Sequence, residues 1–255
     1  MKSKLSIFLV HTLLPILFWL GVWEILAFII DRSYFLPRVY ETAAALYRVV
    51  FSESFPKIAL LTLLRVLCGI ILGTLLGATL AIISHKVKFI YSFLSPLNAV
   101  IKATPVASII VLLWISMNGN LLAVFVAQLM VFPIIFQNLY DAFASIDKDL
   151  IEVAKVFEFS YKKKLKLLIL PTLKQYFIPA FITAIGLAFK AEIAAEIIAG
   201  VRYSVGQMIY DAKDSLITSE VFAWTIIGIV LSIVIEKITK KLLTPKNATK
   251  KEAEI

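Results

Sequence analysis

The sequence predicts an all-α, polytopic membrane bundle with about six transmembrane helices, because apolar runs recur at the roughly 20-residue length that crosses a bilayer. Of the 255 residues, 60% are hydrophobic and the mean hydropathy is +0.91. Soluble domains average about 45–50% apolar residues. Charged residues are bunched, and none lies between Lys102 and Asp141. Most of this chain is therefore expected to lie within the lipid bilayer.

The predicted spans cover residues 6–30, 59–84, a third segment that ends near Ile115, and then 120–140, 176–199 and 219–241. The first follows Lys2 and Lys4 but is longer than the apolar region of a signal peptide and has no small-residue cleavage pattern, so we expect an uncleaved span. Lys102 and Pro105 interrupt the third segment. Residues 88–102 are alternatively a separate helix at the membrane interface.

The lysines and arginines predict the orientation. If the N-terminus is cytoplasmic, seventeen of them lie in inner segments and six in outer loops, which favours cytoplasmic N- and C-termini. Residues 1–244 then form the transmembrane domain, and 245–255 form a polar cytoplasmic tail. The net charge of +9 is explained by these flanking lysines, so no nucleic-acid partner is predicted.

Sequence motifs for chemistry are absent. The chain has no GxxxxGK[ST] loop to cradle ATP phosphates, no HExxH or paired-histidine metal motif, and no evident Ser/His/Asp arrangement. No catalytic, cofactor-binding or metal-binding residues are therefore predicted in this chain. A standalone enzyme is poorly supported.

Small residues recur every fourth position in the second predicted span, at Gly69, Gly73, Gly77 and Ala81. Such a stripe lets two helix backbones approach closely in lipid. Packing within the chain is the favoured interpretation, and a seam between two copies is the alternative.

The longest inner segment, about 146–172, reads as helix rather than loop. Val153, Val156 and Phe157 fall on one helical face, lysines crowd the stretch from Lys162 to Lys166, and Pro171 is expected to end or kink the helix. A short amphipathic helix at this surface must bury its apolar face. Docking into a partner's groove and lying on the membrane remain nearly even alternatives on physical grounds.

This segment resembles the EAA loop of ABC-importer permeases, whose pattern is E-A-A-x3-G-x9-I-x-L-P. Glu152 and Ala154 match its first and third positions, and Leu168, Leu170 and Pro171 match its end in register. By that resemblance, these five residues form the coupling helix region that fits a cleft on the ATPase subunit. The sequence departs from the pattern at Glu158, where the family has glycine.

The resemblance extends over most of the chain and is strongest to the nitrate/taurine/sulfonate subfamily. The motifs that carry it are Trp23-Glu24, Leu36-Pro37, the Thr-Leu-x-Arg-Val pattern at residues 62–66, and Ala191-Glu192-Ile193-Ala194-Ala195-Glu196. Their order and spacing, rather than any one of them, make the resemblance specific.

The resemblance implies the type-I importer permease (MetI-like) fold in a bacterial inner membrane. Expected partners are two ABC ATPase subunits that bind ATP-Mg, a second permease copy, identical or paralogous, and an extracytoplasmic solute-binding protein. The transported solute would be small, such as a sulfonate, taurine, nitrate or a vitamin precursor. ATP hydrolysis would reside in the partner chain.

Charged residues inside apolar segments are the other candidates: Arg65, Lys102, Lys190, Glu192 and Glu196. An unpaired charge in hydrocarbon costs several kcal/mol. Glu192 and Glu196 share a helix face, and the predicted topology places both in an outer half, as it does Arg65. An ion pair between helices is the favoured interpretation, and a substrate path is the alternative.

Two other function classes compete with the importer. A secondary transporter working without an ATPase would use these buried charges as its coupling site. A membrane-bound enzyme would turn over substrate as an isolated chain. Neither accounts for the amphipathic inner helix and its Leu-Pro register.

Overall fold

The computed structural model describes residues 13–243. In chain order, the elements are α1 (Leu14–Ile30), α2 (Val39–Val50), α3 (Phe55–Lys86), α4 (Lys88–Ala103), α5 (Val106–Trp114), α6 (Gly119–Ala144), α7 (Lys148–Val156), α8 (Tyr161–Lys164), a π-helical turn (Leu165–Ile169), α9 (Leu170–Ala199), α10 (Val205–Asp214) and α11 (Thr218–Leu243).

Within residues 13–243, four helices are long and apolar enough to cross a membrane: α3, α6, the continuous run Tyr161–Ala199, and α11. Three of them begin and end within four residues of predicted spans. The apolar helix α1 matches the first predicted span, whose first residues lie outside the described part of the chain, as does the predicted tail 245–255. The all-α, polytopic prediction is confirmed.

The third predicted span is not one straight helix. The structure divides it into α4 and α5, which meet at an angle of 98°. Thr104 has extended backbone angles directly before Pro105, as expected because a proline ring disfavours helical geometry in the preceding residue. The third predicted segment is therefore a bent pair of helices, which is compatible with one broken span and with the alternative of a separate helix at 88–102. The bend lies at the interruption that the sequence marks.

The helix that contains the fifth predicted span, 176–199, begins at Tyr161 and so includes part of the inner segment that the sequence predicts to be helical. Pro171 does not end it. A proline has no N–H and its ring clashes with the carbonyl of the preceding turn. The π-helical turn Leu165–Ile169, in which the Leu170 N–H donates to the Leu165 carbonyl, precedes the proline and shifts the hydrogen-bond register there.

Helix α6 lies at the centre of the bundle, with α3 and α9 packed along it. Its Val131, Ile135 and Phe136 are buried with residues of both neighbours. The glycine stripe of α3 faces α6 of the same chain, as the intrachain interpretation predicted. A Cβ atom built on Gly73 would lie 2.8 Å from both the Gln128 carbonyl oxygen and the Val131 Cβ.

Two of the family-like dipeptides meet at the junction of α1 and α2. The Trp23 indole N–H donates to the Pro37 carbonyl at 2.9 Å. The Glu24 carboxylate accepts the Val39 N–H at 2.8 Å, which is a free donor at the start of α2. These two side chains thus join α1 to the end of the first connecting loop and to the start of α2.

Candidate functional sites

A buried polar cluster lies between the first half of α3, the start of α6 and the end of α9. The Arg65 Nη1 atom is 2.9 Å from the Glu196 Oε1 atom, and the two side chains are 10% and 0% exposed. Arg65 Nε also donates to the Asn120 Oδ1 atom at 2.9 Å, and Nη2 donates to the Arg202 carbonyl at 3.3 Å. Every nitrogen of the guanidinium therefore has a partner within the chain.

The Glu196 carboxylate also caps the N-terminus of α10. It accepts the Gly206 N–H at 3.0 Å and the Thr62 hydroxyl at 2.8 Å, while the Val205 N–H donates to that hydroxyl oxygen at 3.0 Å. The first N–H groups of a helix have no partners within it, and a carboxylate there is favourable for the helix dipole. Glu196 is thus bound by donors from α3 and α10.

The other intramembrane candidates do not join this ion pair. Glu192 is fully buried one turn before Glu196, but neither of its carboxylate oxygens has a hydrogen-bond partner among the described residues. Lys102 is exposed on the last turn of α4 and forms no ion pair within the described part of the chain. Lys190 is exposed on α9.

Sequence reasoning missed the neutral members of the cluster, Thr62, Asn120 and the backbone of Gly206. Thr62 stands in the Thr-Leu-x-Arg-Val pattern, three residues before Arg65 and hence on the same helix face, which was an available signal. We propose that the cluster fastens α3, α6, α9 and α10 together and does not bind solute, because Arg65 is buried and each of its three guanidinium nitrogens already donates within the chain.

The segment predicted to be the coupling region, about 146–172, lies at the opposite end of α6 and α9. Its short helix α7 carries Glu152 on its exposed side, while Ala154 is buried. Val156 and Phe157 are 79% and 70% exposed, so the apolar face predicted from the sequence is uncovered in the isolated chain.

The other EAA-like positions lie directly beyond α8. Leu168 is in the π-helical turn, and Leu170 and Pro171 open α9. The structure therefore places them in the helical run that continues through the membrane, rather than in a separate loop.

Helix α7 ends in a Schellman turn centred on Glu158. The Phe159 N–H donates to the Ala154 carbonyl at 2.9 Å, and the Glu158 N–H donates to the Lys155 carbonyl at 3.0 Å. Glu158 has a φ of +49°, in the left-handed region where glycine is usual. At the position where the EAA pattern has glycine, Glu158 thus adopts a backbone conformation that glycine favours.

Replacing Glu158 with glycine is expected to stabilise α7 by about 1 kcal/mol, because glycine carries no Cβ penalty at positive φ. Slower hydrogen exchange of the α7 amides would measure the effect. Lys155→Gly is the matched control, since the same residue inside the helix should destabilise it by about 1 kcal/mol. Faster exchange in Glu158→Gly would contradict this reading of the turn.

Comparison with known proteins identifies the family to which this chain belongs. Residues 69–245 match the family model described as "Binding-protein-dependent transport system inner membrane component", which is more than half of the chain. The chain belongs to this family. The predicted resemblance is confirmed, and the protein is a multi-pass member of an inner-membrane transport family.

A curated relative of this transport component is the Bacillus subtilis (strain 168) protein named "Putative aliphatic sulfonates transport permease protein SsuC". It is 26% identical over 181 residues, which are 70% of this chain and 63% of the relative. The chain thus covers less than two thirds of that relative's length. The similarity agrees with the subfamily predicted from the sequence motifs.

Proposed function

We propose that this chain is the membrane-spanning permease subunit of an ABC importer and forms, with a second permease copy, the solute path. Beside family membership, one observation carries the proposal: α7 presents an uncovered apolar face at the end of the spanning helices. Exposed apolar patches commonly mark interaction sites. An ATPase groove of matching shape would bury Val156 and Phe157, whereas hydrolysis itself would remain in that partner.

The connection between α7 and the bundle supports a coupling mechanism. Only the turn at 157–160 separates α7 from the run Tyr161–Ala199, and that run ends at the cluster around Glu196. Movement of α7 by a closing ATPase pair would therefore displace a helix that is fastened to α3 and α10 at its far end. Rocking of such helices between two arrangements gives alternating access.

The same proposal includes the class of the transported solute and the orientation of the chain in the membrane. The named function of the relative supports a small sulfonate-like solute, delivered by an extracytoplasmic binding protein to the end where α3 begins. The excess of lysine and arginine in the predicted inner segments supports cytoplasmic termini in a bacterial inner membrane.

The proposal predicts that the tagged permease co-purifies with a co-expressed ABC ATPase subunit from the same organism. It also predicts that Glu152→Arg reduces the bound ATPase about tenfold or more. A tenfold loss corresponds to roughly 1.4 kcal/mol, which is modest for a charge reversal within an interface. Quantitative immunoblotting of the eluted complex, normalised to permease, would measure the change.

Glu53→Arg is the matched control, because Glu53 is also exposed but lies in the connection before α3, at the other end of the bundle. It should retain wild-type amounts of ATPase. If no ATPase binds the wild-type chain while the bundle remains folded, the importer proposal fails. Uptake driven by an ion gradient would then test the secondary transporter.

A further inference from the structure

A cavity of about 370 Å³ lies between α9 and α11, with Ile209 of α10 on one side. Most of its wall is apolar and includes Phe189, Ile193 and Ile229. Two charged side chains, Lys190 and Glu236, line the same cavity. A mostly apolar pocket with a few placed polar groups is the usual form of a small-molecule site.

Glu236 lies against α9 one helical turn before Lys190. Gly186 and Lys190 are four residues apart and thus neighbours on one face of α9. A Cβ atom built on Gly186 would lie 2.6 Å from the Glu236 Oε1 atom, so the carboxylate packs against the bare backbone of α9. Lys190 and Glu236 nevertheless form no direct ion pair among the described residues.

The lysine of this cavity lies well inside its helix. Lys190 is nine residues before Ala199, the end of α9, which is about 14 Å along the axis at 1.5 Å per residue. Charged residues at such depth face a bundle interior or a water-filled cavity and mark substrate pathways. The exposed Lys190 and the half-buried Glu236 are therefore the polar groups that a passing solute would meet.

We infer that this cavity binds the transported solute within the membrane and that its ligand class is a short aminoalkanesulfonate. The sulfonate would pair with the Lys190 ammonium, the ammonium of the solute with the Glu236 carboxylate, and the short alkyl linker would contact the apolar wall. This inference rests on the proposed importer function and adds to it the residues and the charge pattern that select the solute.

Isothermal titration of the permease–ATPase complex in nanodiscs, without the binding protein, tests the inference with two probes. Taurine (2-aminoethanesulfonate) carries both charges, and ethanesulfonate carries only the negative one. Lys190→Gln is expected to weaken binding of both probes at least tenfold. Glu236→Gln is expected to weaken taurine at least tenfold and leave ethanesulfonate within twofold.

Lys237→Gln is the matched control, because Lys237 is exposed on α11 but does not line the cavity. This variant should bind both probes with an affinity within twofold of wild type. Ser232→Leu fills the cavity without removing a charge and should abolish binding of both probes, which keeps the test available if Lys190→Gln does not fold. Wild-type binding in these cavity variants, or no taurine binding by the wild-type complex, would overturn the inference. The importer proposal itself would stand, because ATPase co-purification tests it separately.

Discussion

Replacing Arg65 with methionine is expected to destabilise the bundle by about 3–5 kcal/mol, because it leaves the Glu196 carboxylate buried without its counter-charge. The Glu196 side chain is 0% exposed, so the surrounding protein gives water little access to the carboxylate. The same substitution also removes the donors to Asn120 and to the Arg202 carbonyl. Unfolding of the purified protein in an SDS titration would measure the loss.

A double-mutant cycle that combines Arg65→Met with Glu196→Gln measures the interaction energy between the two side chains. The double variant should be less destabilised than the two single losses together, because no buried charge remains unpaired. Arg48→Met is the control: its contact with Glu220 is 3.8 Å long and the side chains are 63% and 32% exposed. Such a surface pair contributes about 1 kcal/mol or less.

Two results would revise the role of this cluster. Equal losses in Arg65→Met and Arg48→Met would show that the buried pair contributes no more than a surface pair. Wild-type stability of Arg65→Met with lost solute uptake would instead favour the substrate-path alternative for this arginine.

Replacing Gly73 with leucine is expected to cost about 3 kcal/mol or more, because the side chain must force apart the closely packed helices α3 and α6. Even the first added atom would lie 2.8 Å from the Gln128 carbonyl oxygen, which is backbone and cannot rotate away. Gly73→Ala should cost less, about 1–2 kcal/mol, since alanine's better helix propensity offsets part of the clash. The apparent melting temperature should follow the same order.

Gly21→Ala provides the control, because nothing lies within 4 Å of a Cβ atom built on Gly21 of α1. That variant should be neutral or stabilised by up to about 1 kcal/mol. If Gly73→Leu melts at the wild-type temperature, the described contact between α3 and α6 is wrong. If it melts normally but no longer associates with a second copy, the stripe is a seam between chains.

In the segment proposed as the coupling region, the sequence pattern predicted the helix but not the turn that ends it. The period of Val153, Val156 and Phe157 predicted a short helix with an apolar face, and the structure has that helix with Val156 and Phe157 exposed. The pattern alone did not reveal that Glu158 would adopt a glycine-like backbone, because the turn is specified by hydrogen bonds between Phe159 and Ala154. Nor did it reveal that the helical run passes through Pro171.

The sequence by itself determined that the chain is a membrane bundle, where most spans lie, and which segment resembles a coupling helix, because hydropathy, charge and motif spacing are local properties. Only the tertiary structure decided which polar groups meet. Arg65 and Glu196 are 131 positions apart, and the same hydropathy profile is compatible with many helix arrangements. The placement of Lys190 and Glu236 on one cavity, and the intrachain contact of the glycine stripe, depend on how α9, α11, α3 and α6 are packed.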